Sequence, residues 1–375
     1  MALITYLSRI QFDFGAVRLL GDELAGLGVR RPLITTDPGV VAAGILDTVL
    51  AALPAGIDPV VFDGTPGNPT EHAVLAALTR YRDHACEGVV AVGGGSPIDL
   101  AKAVALLATH PGALEEYGVL RGGTANITRA VAPVLAIPTT AGTGAEVGRA
   151  CSITLRSGRK VACVSPYLIP KVAICDPELT FGLPPRLTAA TGMDALSHGV
   201  EAFLSNRVNP PAEAIALDCV GRVSRSLEQA WRDGADREAR WQMLMAALEG
   251  GLTFQKGLGA VHALSHPLGE LGLHHGTLNA VLMPAVLRFN ASHAGDKYPR
   301  LRAAAGLPAG GDLAAWIEVL NARLGLPGGL HELGVPEDAI PAIAEAAARD
   351  HLSETNPRPA TAADYARILA EAMGQ

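Results

Sequence analysis

In the first half of the chain, short apolar runs alternate with segments whose apolar residues recur at helical spacing. RPLITT (31–36), IDPVVFDG (57–64), GVVAVGGG (88–95) and VLAIPTT (134–140) read as strands that end in turns. Between them, PGVVAAGILDTVLAAL (38–53) reads as one amphipathic helix with Pro38 in its first turn. TEHAVLAALTRYRDHAC (70–86) reads as a helix capped by Thr70, and SPIDLAKAVALLAT (96–109) as one capped by Ser96 with Pro97 at its first position. This alternation predicts a parallel sheet covered by helices, with ligands bound beyond the carboxyl ends of the strands. The pattern changes near residue 177. AEAIALDCVGRVSRSLEQAW (212–231) and REARWQMLMAALEGGLTFQ (237–255) have helical spacing, and strand signals are scarce from there on. A helical second domain is expected, with a boundary between 178 and 187.

Composition agrees with this picture and removes several functions. A chain of 375 residues is longer than one core usually serves. With 49% apolar and 18% charged residues it has the material for a large buried core and none of the marks of disorder. The net charge of −7, without a run of Lys and Arg, argues against a nucleic-acid partner. No transmembrane stretch and no secretion signal are found, so a membrane partner is not expected. The five cysteines, Cys86, Cys151, Cys163, Cys175 and Cys219, form no C-x-x-C pair. They suit a reducing compartment, and a cytoplasmic protein with buried structural thiols is expected.

Candidate chemistry begins with AVGGGSPIDLAK (91–102), three glycines between a buried strand and a helix. Glycine lets backbone N–H groups approach an anion, and a helix N-terminus adds a favourable field, so a pyrophosphate fits; a tight turn explains the glycines equally well. The segment is neither G-x-G-x-x-G nor a P-loop. TTDPGV (35–40), GTPGNPT (64–70) and IPTTAGTGAE (137–146) also follow strands, so the four loops would share one sheet edge and describe a nucleotide crevice. Asp37, at the end of its strand, can accept hydrogen bonds from a ribose and would repel a 2′-phosphate.

Asp194 and His198 stand four apart in AATGMDALSHGVEAF (189–203), which puts carboxylate and imidazole on one helix face. His262 and His266 repeat the spacing in a second segment, where Ala263 follows His262 and the H-E-x-x-H base is missing. His274 and His275 come shortly after. One carboxylate with three imidazoles suits Fe²⁺ or Zn²⁺ and not Ca²⁺ or Mg²⁺. Spacing alone leaves open which of the four clustered histidines are ligands.

GGGSPIDLAK, AIPTTAGTGAEV, AATGMDALSHGVEAF, VHALSHPLG and HHGTLNAVLMP resemble, in order and spacing, the signature segments of the iron-containing (type III) alcohol dehydrogenases, and the likeness extends through TNPRPAT (355–361). The resemblance implies an α/β N-terminal dinucleotide-binding domain with a parallel sheet (1–182) and an all-helical C-terminal metal-binding domain (183–375). This is the architecture shared with dehydroquinate synthase, with the active site in the cleft between the domains. It implies Asp194, His198, His262 and His275 as metal ligands and His266 as a nearby residue that is not a ligand. It also implies NAD as cofactor, held by Asp37, Asn68, Gly94, Gly95, Ser96, Asp99, Thr139, Thr140, Thr143 and Lys160. His274 has no implied role and is expected to be an exposed loop residue.

ITYLSRIQFDFGAV, TFQKGLGAVHALSHPLG and GLHHGTLNAVLMPAVLRFN look like the versions found in family members that interconvert 4-hydroxybutyrate and succinate semialdehyde, although this chain is shorter between Gly269 and Leu273. The implied reaction is metal-dependent hydride transfer between NAD(H) and a primary alcohol or aldehyde, with iron as the metal and zinc as its alternative. His266 is the candidate proton relay. Arg149 is the candidate partner of a substrate carboxylate, because guanidinium pairs bidentately with carboxylate; a surface arginine is the other reading. A lactaldehyde or general short-chain alcohol dehydrogenase, a dehydroquinate synthase-like lyase and a non-catalytic binding protein are the competing readings. A homodimer or larger homo-oligomer is expected.

Overall fold

The computed structural model describes Ile4 and residues 8–374. The signature segment that opens at Ile4 therefore lies partly outside the described residues. The chain divides into two compact units. Residues 8–140, with Gly144–Gly182, form one; Ile4 and Ala141–Thr143, with the described residues from Leu183 onward, form the other.

In the first unit the strands are β1 (Arg9–Phe12), β2 (Pro32–Thr35), β3 (Val60–Phe62), β4 (Gly88–Gly93), β5 (Val134–Pro138), β6 (Ala150–Thr154), β7 (Lys160–Val164) and β8 (Val172–Cys175). Six of them make one sheet in the order β1-β8-β5-β4-β2-β3, with every neighbouring pair parallel. β6 and β7 form a separate antiparallel pair. The helices are α1 (Leu20–Leu27), α2 (Pro38–Ala42), α3 (Ile45–Ala51), α4 (Glu71–Asp83) and α5 (Gly95–Thr109). A sheet covered on both faces needs apolar side chains on both sides of each strand. β4 shows this: Val89 and Ala91 enter an apolar cluster with Ala77, Leu100 and Val104 of α4 and α5. Val90 and Val92 enter another with Leu20, Leu24 and Val49 of α1 and α3.

Two local expectations are corrected. The helix expected over 38–53 is two helices, because Gly44 adopts the left-handed conformation (φ 72°) and ends the first one. Ser96 and Pro97 do not cap and open α5. The helix starts earlier, with Gly94 at its N-cap, because Gly93 turns the chain at φ 148°. The Ser96 hydroxyl instead donates to the Gly67 carbonyl at 2.6 Å. The cysteines are free and buried, as expected.

The second unit is helical: α6 (Pro185–Leu204), α7 (Pro210–Arg232), α8 (Arg237–Leu252), α9 (Ala260–Gly269), α10 (His275–Asn290), α11 (Lys297–Ala304), α12 (Leu313–Arg323), α13 (Ile340–Arg349) and α14 (Ala362–Ala372). Its core joins Met193, Leu196 and Phe203 of α6 with Leu227 of α7, Leu264 and Leu268 of α9, Leu282 of α10 and Tyr365 of α14. Among the described residues no helix is long and apolar enough to cross a membrane.

Candidate functional site

Three helices of the second unit bring the chemistry together. α6 carries Asp194 and His198 one turn apart, both buried. α9 carries His262, buried near its N-terminus, and His266 one turn on. α10 begins at His275. His274 is exposed, as expected, and it serves the fold. Its ring nitrogen Nδ1 accepts from the Thr277 N–H at 3.4 Å and caps α10. Gly276 allows the close approach of α10 to α6. A Cβ there would stand 2.3 Å from the Ala190 carbonyl oxygen.

The result is a convergent donor set. Around Asp194 Oδ1 stand His198 Nε2 at 3.6 Å, His275 Nε2 at 3.6 Å and His262 Nε2 at 3.8 Å. Asp194, His262 and His275 offer ligand atoms that all lie within 4.8 Å of one another. His198 joins the set through Asp194, its ring stacked on that of His262 with centroids 4.8 Å apart. Ligands at roughly 2.1 Å from a tetrahedral ion stand about 3.4 Å from one another, so these spacings fit a transition-metal ion.

A second observation points the same way. Asn279 Nδ2 lies 2.7 Å from Asp194 Oδ1 and 3.2 Å from both His262 Nε2 and His275 Nε2. An amide has two hydrogens and cannot serve three acceptors at once. The point where these atoms meet therefore calls for a proton or a cation besides the amide.

Electrostatics agree. Burial alone would raise the Asp194 carboxyl, but the fields of His198, His275 and His262 outweigh it and hold the group well below the usual carboxylate range. Burial drives His198 down to about 4, so it is a neutral imidazole with a lone pair to give. His262 is opposed by burial too, yet the carboxylates of Glu201 and Asp194 raise it to about 9. The two carboxylates favour positive charge at that ring, as a proton or as a cation in its place.

His266 lies outside the donor set. Its Nδ1 bonds Asp350 Oδ2 at 2.8 Å, which leaves Nε2 uncommitted to that partner. His275 Nδ1 lies 3.4 Å from Ser265 Oγ, whose hydroxyl proton goes to the His262 carbonyl; the serine oxygen then accepts from Nδ1–H and leaves Nε2 of His275 with its lone pair.

In the first unit the parallel topology puts the loops after β2, β3, β4 and β5 at one edge. Asp37 caps α2 by accepting the Val40 N–H at 3.0 Å. A Cβ on Gly93 would meet Asp37 Oδ2 at 3.3 Å, and one on Gly94 would meet Thr140 Oγ1 at 3.1 Å, so Asp37, the glycine loop and Thr140 are neighbours. Thr139 N donates to Gly93 O, and Ser96 ties this loop to the one holding Gly67 and Asn68. No side chain caps α5, so Gly95 begins a fifteen-residue helix whose first N–H groups remain available to an anion.

The other cofactor candidates have different surroundings. Asp99 Oδ2 accepts the Ser152 N–H at 2.9 Å and lies in the field of Lys160, the first residue of β7. Thr143 belongs to the segment that groups with the helical unit. Arg149 is exposed just before β6, and its carbonyl accepts from Ser165 N.

Several contributors were not read from the sequence. Glu201 and Asn279 had a signal: each stands three or four residues beyond a candidate ligand on its own helix, His198 and His275. Asp350, far along the chain from His266, had none.

The sequence and the fold are similar to those of known proteins. The family model for iron-containing alcohol dehydrogenase matches residues 8–177, and that for the Fe-containing alcohol dehydrogenase family, C-terminal, matches residues 188–373. The chain belongs to the iron-containing alcohol dehydrogenase family. This alcohol dehydrogenase is 53% identical over 383 residues to the 4-hydroxybutyrate dehydrogenase of Cupriavidus necator, with both chains fully covered. Its structure is similar to that of a 1,3-propanediol oxidoreductase, with a TM-score of 0.94 and 37% identity over 99% of this chain and 100% of the other. It is also similar to sulfoacetaldehyde reductase from Bifidobacterium kashiwanohense solved in complex with NAD⁺, with a TM-score of 0.90 and 30% identity over 100% of this chain and 99% of that one.

Proposed function

We propose that this enzyme interconverts a primary alcohol and its aldehyde with NAD(H), with 4-hydroxybutyrate and succinate semialdehyde as the preferred pair, at a divalent iron held by Asp194, His198, His262 and His275. The observation that carries the reading is the ring of three Nε2 atoms 3.6–3.8 Å from Asp194 Oδ1. The bound cation supplies Lewis acidity, which brings the pKa of an alcohol hydroxyl within reach of neutral pH. Zinc is the alternative metal for the same donor set.

NAD, when bound, would accept the hydride of the alcohol carbon, and the hydroxyl proton would leave to the medium, so that alcohol and NAD⁺ give aldehyde, NADH and a proton. His266, anchored through Nδ1 by Asp350, is the group that passes the proton. The glycine edge and the open N-terminus of α5 would receive the pyrophosphate, and Asp37 would take the ribose. Asn68, Gly94, Gly95, Ser96, Asp99, Thr139, Thr140, Thr143 and Lys160 complete the cofactor site. Arg149 pairs with the far carboxylate of the substrate. The choice of substrate pair is supported by the full-length identity to the Cupriavidus necator enzyme. Five buried free thiols support a reducing, cytoplasmic setting.

The test is a panel of ω-hydroxy acids, diols and simple alcohols, read by NADH absorbance with Fe²⁺ or Zn²⁺ added anaerobically, for the wild type and Arg149→Met. The reading expects the highest kcat/KM on 4-hydroxybutyrate and a loss in Arg149→Met confined to acids. A stronger response to simple alcohols overturns the substrate, and an equal loss on all substrates overturns the role of Arg149.

A further inference from the structure

Glu201 belongs to no ligand set, yet its carboxylate is buried in the second unit with both oxygens committed to α9. Oε1 accepts the backbone N–H of Val261 at 2.7 Å, and Oε2 lies 2.5 Å from His262 Nδ1. The first contact satisfies one of the N–H groups that a helix N-terminus leaves without a partner. It also puts a negative charge where the helix field favours one. The second contact fixes a ring. An ionised carboxylate only accepts, so Nδ1 must carry the hydrogen. With a cation in place of the second proton, the ring has its lone pair on Nε2, the atom facing Asp194 Oδ1.

Glu201 and Asn356 crowd the N-cap of α9. A Cβ on Gly259, the N-cap of α9, would come within 2.9 Å of Glu201 Oε1 and 2.8 Å of Asn356 Oδ1. Asn356 Oδ1 accepts the neighbouring N–H of Ala260 at 3.2 Å. Two buried side chains thus grip consecutive amides at the start of α9. Only Glu201 also reaches the ring one residue further on.

We infer that Glu201 is a positioning residue for the metal centre: one carboxylate sets both the start of α9 and the tautomer of His262, so that Nε2 is presented as a ligand. The inference rests on the metal reading above. Glutamine at 201 would keep the shape and lose the function. With its oxygen on the Val261 N–H, its NH₂ faces Nδ1, which must then accept. The ring hydrogen moves to Nε2, and the lone pair no longer faces Asp194.

The experiment compares wild type with Glu201→Gln by Zn²⁺ competition against a chromophoric chelator, by melting of the metal-free proteins, and by NMR of ¹⁵N-histidine-labelled, Zn²⁺-loaded protein. The expected result is Zn²⁺ binding weakened about 10–100-fold with little change in the metal-free melting temperature. The wild-type His262 should be protonated at Nδ1 and metal-bound at Nε2. Equal Zn²⁺ affinity in the two proteins overturns the role of Glu201 alone. Weakened binding with a matching fall in metal-free stability makes Glu201 a helix cap only and overturns its action on the ring. If Glu201→Gln does not fold, the wild-type spectrum decides: His262 protonated at Nε2 overturns the inference. A wild type that binds no Zn²⁺ overturns instead the metal reading beneath it.

Discussion

Asn279 on α10 donates its side-chain N–H to Asp194 Oδ1 on α6 at 2.7 Å, and both residues are buried. The amide is oriented by this contact, since its oxygen in the same place would face a carboxylate. The other amide atom, Oδ1, has no hydrogen-bond partner. Asn279 therefore holds the carboxylate at a cost to its own hydrogen bonding, as expected of a residue placed for a site and not for the fold. Asn279→Ala should weaken Zn²⁺ binding about 10–100-fold, measured by chelator competition. Unchanged affinity would show that Asp194 needs no such hold.

The same two helices meet at Gly276. A Cβ at this position would stand 2.3 Å from the Ala190 oxygen and 2.8 Å from its carbonyl carbon. A side chain could swing aside; the backbone of α6 cannot without moving the helix. Gly276→Ala should push the start of α10 away and carry His275 from Asp194. The expected outcome is a loss of roughly 1–3 kcal/mol in stability together with weaker Zn²⁺ binding, read by melting and titration. A variant that melts and binds like wild type would refute the packing argument.

Asp37 has an observed role as a helix cap and a proposed one at the cofactor, and a single substitution can separate them. It caps α2 through the Val40 N–H, and its charge faces the glycine edge near Gly93. Serine is also a good cap, so Asp37→Ser should keep the helix while removing the charge. The expected change is a rise in kcat/KM for NADP with little change in melting temperature. A variant that gains no NADP use would exclude Asp37 as the group that repels a 2′-phosphate.

The alternation of β4 between two apolar clusters, and the fourfold spacing of Asp194 with His198, are periodic features, and such features are visible in one dimension. The parallel sheet, the helical second half and the helices carrying the four proposed ligands were legible for that reason. What escaped was set by single backbone torsions or by distant partners. Gly44 breaks a continuous helical pattern through its left-handed φ alone. Gly94 displaces Ser96 from the cap because the turn at Gly93 lets the helix begin sooner. β6, β7 and β8 follow β5 with no α-helix between them, so the strand–helix alternation that marks β2 to β5 does not mark them. The bond from Asp350 to His266 spans 84 positions, and no local pattern announces it. His198 and Glu201 share a helix face, but a glutamate there reads as one more polar residue until the start of α9 is seen against it.

Away from the metal centre, one carboxyl sets a pH dependence. Glu249 Oε1 accepts from Arg222 Nε at 3.0 Å, and Arg222 also bonds Asp218 Oδ2 at 2.8 Å. Glu249 Oε2 is buried without a partner. Burial pushes the Glu249 carboxyl up; Arg222 pulls it back and Asp218 pushes it further, to about 8. The folded protein thus binds this proton more tightly than the unfolded chain, where the ordinary value is 4.5. The stabilisation from this group is complete below about 4.5 and is lost as pH rises through about 8. Glu249→Gln cannot ionise and keeps an oxygen for Arg222. Its melting temperature relative to wild type should climb from pH 5 to pH 8 and level off above that. A difference that stays flat across the range would mean that Glu249 ionises in the fold as readily as in water, with Arg222 fully offsetting its burial.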